Sequence, residues 1–276
     1  MVTGFKIYKD FVAHQLGNIN FGFNQVCELG LIDHEDCRNS DQPEILVWGD
    51  SFAMHLVHGI LSSNSDARVV QITKSVCGPI IGLAPVNKLF PENWSEECLE
   101  YNDSVVEWIE ENTSLRYAVL SSPFSQYLSD EWKIMSSGGV LSPDEAVVHE
   151  YFTATLDFLV SQGIQPVVFA PAPFIGDEKD MGACLVRASI FGEELSQCDF
   201  SYSQYQGKQG KVIDFLEKID DHYRVIWMDD YLCDRDSCKA AEEDVFIYRD
   251  WAHLSYEGSA LVGSRMNFNK LISTPD

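Results

Sequence analysis

The sequence predicts an α/β protein: a three-layer α/β/α sandwich built on a central parallel five-stranded sheet. Two observations carry this prediction. Short apolar runs rich in β-branched residues alternate with longer stretches whose apolar residues recur every three or four positions. Such alternation implies right-handed crossovers and a parallel sheet covered by helices on both faces. The chain has 276 residues, 45% of them hydrophobic, which is enough to bury one large core. No internal repeat, low-complexity tract or Pro/Gly-rich linker divides it.

In chain order, residues 1–44 show no clear periodicity and are read as an N-terminal extension, and residues 45–276 as the main domain. The first strand is Ile45 to Trp48, followed by a Gly-Asp-Ser turn and a helix from Ala53 to Leu61. Val69 to Ile72, Ala118 to Ser121, Pro166 to Ala170 and Arg224 to Met228 supply the other four strands. Helical spacing marks Glu97 to Glu111, Asp144 to Val160 and Gln209 to Asp220 between them, and Tyr256 to Ile272 closes the chain. In such sheets ligands bind beyond the carboxyl ends of the strands. The residues to weigh are therefore Gly49 to Ser51, Thr73 to Gly78, Ser121 to Phe124, Pro171 to Phe174, and the loop holding Asp250 and His253.

Bulk properties narrow the function. Forty-three acidic against 19 basic residues give a formal charge of −24, a field that repels phosphate backbones and excludes nucleic acid as a partner. The plain reading of that acidity is a solvated, aggregation-resistant surface. No apolar run approaches the roughly 20 residues of a membrane span, and Met1 to Asp10 lack the pattern of a signal peptide. The chain is thus either cytosolic or cut from something larger. Eight cysteines, none two residues apart from another, argue against a zinc or thioredoxin-like motif. They permit roughly 105 pairings, but fall as four neighbouring couples that each bracket a polar stretch. The expected pairs are Cys27 with Cys37, Cys77 with Cys98, Cys184 with Cys198, and Cys233 with Cys238, in an oxidising compartment. The plainer alternative is eight reduced, buried thiols.

Two loops carry recognisable chemistry. Ile45-Leu-Val-Trp-Gly-Asp-Ser51 puts a serine on a strand-to-helix turn, where glycine permits the tight backbone and a helix N-terminus favours developing negative charge. A serine hydroxyl needs a base oriented by a third group. Asp250-Trp-Ala-His253-Leu-Ser255 can supply both: Ser255 suits an N-cap, which leaves Asp250 to accept the Nδ1 proton and Nε2 to face Ser51. Taken singly, the motifs are also explained as a capped turn and a locally hydrogen-bonded loop. Their joint placement, after the first strand and before the last helix, favours the relay.

These residues resemble the first and last blocks of the SGNH, or GDSL-like, hydrolases. A closer likeness is to the SGNH domains fused behind membrane acyltransferases of the acyltransferase-three family. Trp48-Gly-Asp-Ser-Phe-Ala-Met-His55, Ser75-Val-Cys-Gly-Pro79 and Asp250-Trp-Ala-His-Leu-Ser255 each look like a block of that subgroup. The resemblance covers about residues 44 to 272. It implies an SGNH-hydrolase-like fold, O-acetylation of a bacterial surface carbohydrate, a membrane acyltransferase domain as partner in the same full-length chain, and a periplasmic or extracytoplasmic setting. It also implies Gly78 as an oxyanion donor beside the Ser51 N–H. The sequence departs from the pattern at Phe52, where a histidine often stands, and in Ser121-Ser-Pro-Phe124, which lacks the oxyanion asparagine of ordinary SGNH hydrolases. A carbohydrate esterase or deacetylase, and a non-catalytic carbohydrate-binding domain, are the alternatives. No cofactor is expected. His55 and His58 are three apart on a helix, but no second ligand cluster accompanies them, so no metal is expected; His55 is read as packing against the site loops. His14, His34, His149 and His222 are read as surface residues. Trp94, Trp132 and Trp251 could stack on sugar rings or simply pack, Trp251 being the favoured candidate because it lies in the His253 loop.

Overall fold

The computed structural model describes residues 18–176 and 179–274, so His14 lies outside the described residues. Five strands form one parallel sheet: β1 (Ile45–Gly49), β2 (Val69–Thr73), β4 (Tyr117–Ser121), β7 (Gln165–Phe169) and β9 (Val225–Ile226). Their order is β2-β1-β4-β7-β9, every pairing parallel. The chain steps from β1 outward to β2 and then crosses back to β4, so its direction reverses between β1 and β4. Doubly wound sheets bind ligands at such a switch point.

Alternate side chains of each strand face opposite layers. Leu46, Trp48, Val70, Ile72, Ala118 and Leu120 pack under α3 (Glu92–Glu111), α5 (Glu145–Ser161) and α7 (Tyr202–Asp220). Ile45, Val47, Val69, Val119 and Val167 face α2 (Val57–Ser63), α6 (Met181–Phe191), α9 (Tyr256–Met266) and α10 (Phe268–Ser273). The result is the expected three-layer sandwich.

Several elements differ from expectation. The first helix is two pieces, a single turn α1 (Ser51–Met54) and then α2, parted at His55 and Leu56. The last helix is also parted, at Asn267, whose φ of 57° interrupts it between α9 and α10. A three-stranded antiparallel sheet of β3 (Ala84–Val86), β5 (Lys133–Ser136) and β6 (Gly139–Leu141) is an addition. So are β8 (Phe200–Ser201) with β10 (Ser237–Cys238), and β11 (Ala241–Glu242) with β12 (Val245–Phe246). Residues 18–44 lie along the β2 edge: Leu29 bridges Lys74, Arg38 bridges Val70, and Asn20 donates to the Leu254 and Ser255 carbonyls. The eight cysteines form four disulfides, Cys27–Cys37, Cys77–Cys98, Cys184–Cys198 and Cys233–Cys238, in the expected sequence order. Among the described residues no helix is long and apolar enough to cross a membrane.

Candidate active site

The turn after β1 is set by Gly49 and Asp50. Gly49 has φ +149°, and a Cβ there would sit 2.2 Å from the Ser121 carbonyl oxygen, so β1 and β4 approach as closely as they do only because the side chain is absent. Asp50 caps α1, its Oδ1 accepting the Phe52 N–H at 2.9 Å. Its Oδ2 accepts the Ser122 hydroxyl at 2.6 Å and the Gln126 amide at 3.1 Å. Burial pushes the Asp50 carboxyl up to about 6, against the pull of these hydrogen bonds and of His253.

The turn delivers Ser51 to His253, with Oγ 2.8 Å from Nε2. On the other side of the ring, Nδ1 lies 2.9 Å from Asp250 Oδ2. Asp250 Oδ1 accepts the N–H groups of Ala252 and His253 at 2.9 and 2.8 Å, which folds the loop tightly about its own carboxylate. Arg249 adds an ion pair, Nη2 to Oδ2 at 3.3 Å. Burial raises the Asp250 carboxyl, but the His253 partner and the two backbone N–H groups outweigh it and hold the group well below the usual carboxylate range. Asp250 is therefore an ionised acceptor for the Nδ1–H, an arrangement that leaves Nε2 facing the Ser51 hydroxyl. Ser255 caps α9 as expected, accepting the Gly258 N–H at 2.7 Å. The structure thus brings Ser51, His253 and Asp250 into one hydrogen-bonded line.

Gly78 lies elsewhere in the network. Its N–H, expected to face a developing oxyanion, donates instead to the buried Tyr127 hydroxyl at 3.0 Å, because that phenol fills the space beside it. Its carbonyl accepts from Asn102, which also binds Ile80 and takes the Trp48 indole N–H. The Cys77–Cys98 bond ties the same loop to α3. Val76 holds φ 69° there, a left-handed conformation that costs a β-branched residue about 1–3 kcal/mol. The loop after β4, which lacks an asparagine, gives Ser122 and Gln126 to Asp50 rather than to Ser51. Asn102, Ser122, Gln126 and Tyr127 were not foreseen. Asn102 falls on a helix that periodicity predicts, Gln126 and Tyr127 fall where it predicts no element, and no short motif marks any of the four.

His55 is fully buried against the site loops, as expected. Its Nδ1 accepts the Leu254 N–H at 3.3 Å and its ring meets His253 edge-on at 6.1 Å. Burial, then the charges of His253 and Arg249, push it far below the ordinary histidine range, so it is neutral. His58 turns away, with Nε2 3.1 Å from the Gly22 carbonyl. His34 caps the short helical turn Glu35–Cys37, while His149 meets Phe215 edge-on. Trp94 and Trp132 both pack on Phe90. Trp251 stands against Phe174 and His253 with 39% of its surface exposed.

Comparison with known proteins agrees with this architecture. Residues 20–267 match the sequence profile described as "SGNH domain (fused to AT3 domains)", and the chain belongs to that family. The periplasmic domain of the lipopolysaccharide acetyltransferase of Salmonella ser. Paratyphi A superimposes with a TM-score of 0.58 at 16% identity, over 98% of this chain and 97% of that one. A GDSL-like lipase from Bacteroides thetaiotaomicron gives 0.41 at 7% identity, over 97% and 98% of the two chains. No curated protein sequence matches.

Proposed function

We propose that this chain is an extracytoplasmic O-acyltransferase domain that moves an acyl group, acetyl in the simplest case, onto a carbohydrate hydroxyl through an acyl-enzyme on Ser51. The observation that carries the reading is the line Ser51 Oγ, His253 Nε2, His253 Nδ1, Asp250 Oδ2, joined at 2.8 and 2.9 Å in a member of the SGNH family. Ser51 Oγ attacks the donor carbonyl while His253 Nε2 takes its proton, and Asp250 stabilises the imidazolium. The tetrahedral adduct collapses, and the leaving group departs with the proton from His253. A sugar hydroxyl then attacks the Ser51 ester, its proton passes to Nε2, and Ser51 is released and reprotonated.

The Ser51 N–H, at the first position of α1, is the nearest candidate for the first oxyanion donor. Gly78 can join only by exchanging the Tyr127 hydroxyl for the oxyanion. A hole with one ready donor disfavours fast hydrolysis, since one lost donor costs roughly a hundred- to a thousandfold in rate. The isolated domain should therefore be a slower esterase than a dedicated hydrolase. The family's fusion to AT3 domains supports a membrane acyltransferase partner as the acyl source. The four disulfides support an oxidising compartment, and the Salmonella likeness supports a surface polysaccharide as acceptor.

Incubation with p-nitrophenyl acetate, with and without bacterial oligosaccharides, tests the reading by following acetate and acetyl-sugar. Wild type should give acetyl-sugar, and Ser51→Ala should lose at least about a thousandfold in rate. Equal turnover by Ser51→Ala defeats the mechanism. Rapid hydrolysis with no sugar product defeats the transferase assignment in favour of the esterase.

A further inference from the structure

The proposed reaction needs an acceptor held beside the acyl-serine, and the loop between Asp250 and His253 contains a surface suited to that task. Four rings enclose one flank of the site. Phe52 lies 5.0 Å from His253 and 5.9 Å from Phe174, and Trp251 lies 5.4 Å from Phe174 and 6.3 Å from His253, centroid to centroid. Phe52 and Phe174 are buried, at 2% and 4% exposure, whereas Trp251 keeps 39% of its surface open. The indole is thus the solvent end of a packed aromatic wall whose other end touches the His253 ring.

Its backbone is held as well. Asp250 Oδ1 accepts the N–H groups of Ala252 and His253, so the carboxylate that orients the imidazole also folds the chain around Trp251. The next residue, Ala252, is fully buried. A rigid, half-open indole loses little freedom when a ligand covers it, which is the condition under which an aromatic contributes most to binding.

From this geometry we infer that Trp251 is the acceptor platform of the site: the apolar C–H face of a pyranose ring stacks on the indole and presents a hydroxyl to His253 Nε2. The inference rests on the acyl-transfer reading above. An acetyl group is too small to need an indole. A long acyl chain would need a continuous apolar groove, whereas the ion pair of Arg249 and Asp250 lies beside the tryptophan. A sugar ring has both required surfaces, a flat apolar face for the indole and a rim of hydroxyls for the polar side. Trp251 is then a positioning residue for the second half-reaction. It brings the acceptor oxygen within the roughly 3–3.5 Å at which the acyl-serine is attacked.

The test compares wild type, Trp251→Ala and Trp251→Phe with p-nitrophenyl acetate as donor and methyl α-D-glucopyranoside or methyl α-D-galactopyranoside as acceptor. The readout is the ratio of acetyl-sugar to acetate, measured by mass spectrometry as acceptor concentration rises. Both products come from one acyl-enzyme, so the ratio is insensitive to the fraction of each variant that is folded. Trp251→Ala should lower the ratio about tenfold, the scale of ring stacking at other aromatic platforms, and Trp251→Phe should restore most of it. An unchanged ratio in Trp251→Ala, both products falling together, means that Trp251 only supports His253 and overturns the platform. Acetate without acetyl-sugar from wild type overturns it too, while leaving Ser51 chemistry standing. Undiminished product formation by Ser51→Ala overturns the acyl-enzyme reading itself.

Discussion

Asp50 is a carboxyl group placed where its charge is expensive, yet it holds three donors from two strand ends. It links the Ser51 turn to the loop after β4, through Phe52 on one oxygen and Ser122 with Gln126 on the other. Its affinity for a proton rises from the ordinary 3.8 to about 6, burial being the cause. Between about pH 4 and 6 the folded protein therefore keeps a proton that the unfolded chain has released. Stability attributable to Asp50 falls as pH rises through that window, by at most roughly 3 kcal/mol. Asp250 behaves oppositely. Its depressed carboxyl contributes stability that is present above the unfolded value and lost only as pH falls below about 4. Asp50→Asn should remove the fall between pH 4 and 6, since Gln126 can turn its unpartnered Oε1 toward the new amide. Melting curves of the two proteins from pH 4 to 7 check this, and parallel profiles would refute it. Ser51, Asp250 and His253 were legible in the sequence because local turn chemistry marks them. Ser122 and Gln126 were not, because they reach Asp50 from 72 and 76 residues away.

At the scale of elements, the distance between Ser51 and His253 depends on how α2 meets α9. The two helices cross at a glycine pair: a Cβ on Gly263 would lie 2.3 Å from the Gly59 Cα, so the backbones touch. Ser259 Oγ accepts the Gly59 N–H at 2.9 Å in the same contact. Since Ser51 opens α1, which is followed at once by α2, and α9 follows directly on the His253 loop, this crossing bears on the site's span. Gly263→Ala should force the helices apart, costing about 1–3 kcal/mol of overpacking and a larger share of ester turnover than of stability. Urea unfolding and p-nitrophenyl acetate assays measure the two, and a variant of wild-type stability and rate would exclude this role. Strand positions and the long helices were readable from apolar periodicity. The breaks at His55 and Asn267 were not, because the apolar phase on either side allows a continuous helix and only the backbone angle at Asn267 reveals the turn. The short antiparallel strands were missed for a related reason. Two to four residues do not make a period, and β3 even contains Pro85.

For the whole molecule, the four disulfides divide the chain into local closures rather than lashing its distant parts together. The bonded cysteines are separated by 10, 21, 14 and 5 residues in chain order. The pairing was legible because each couple brackets one loop, whereas the long-range assembly of residues 18–44 onto β2 and α9 was not, since that segment has no period of its own. A closure limits the unfolded chain by an amount that grows with the logarithm of loop length. Of the four, Cys77–Cys98 closes the longest loop and Cys233–Cys238 the shortest. Cys77–Cys98 also holds the loop that carries Val76 in its left-handed conformation and Gly78 against Tyr127. Replacing each pair by alanines should therefore destabilise the fold most for Cys77 with Cys98 and least for Cys233 with Cys238. Loop length alone gives a difference of about 1 kcal/mol, and release of the Gly78 loop adds to it. Denaturant midpoints of the four double variants give the order directly. Equal losses, or a larger loss at Cys233 with Cys238, would show that local packing rather than chain closure governs what these bonds contribute.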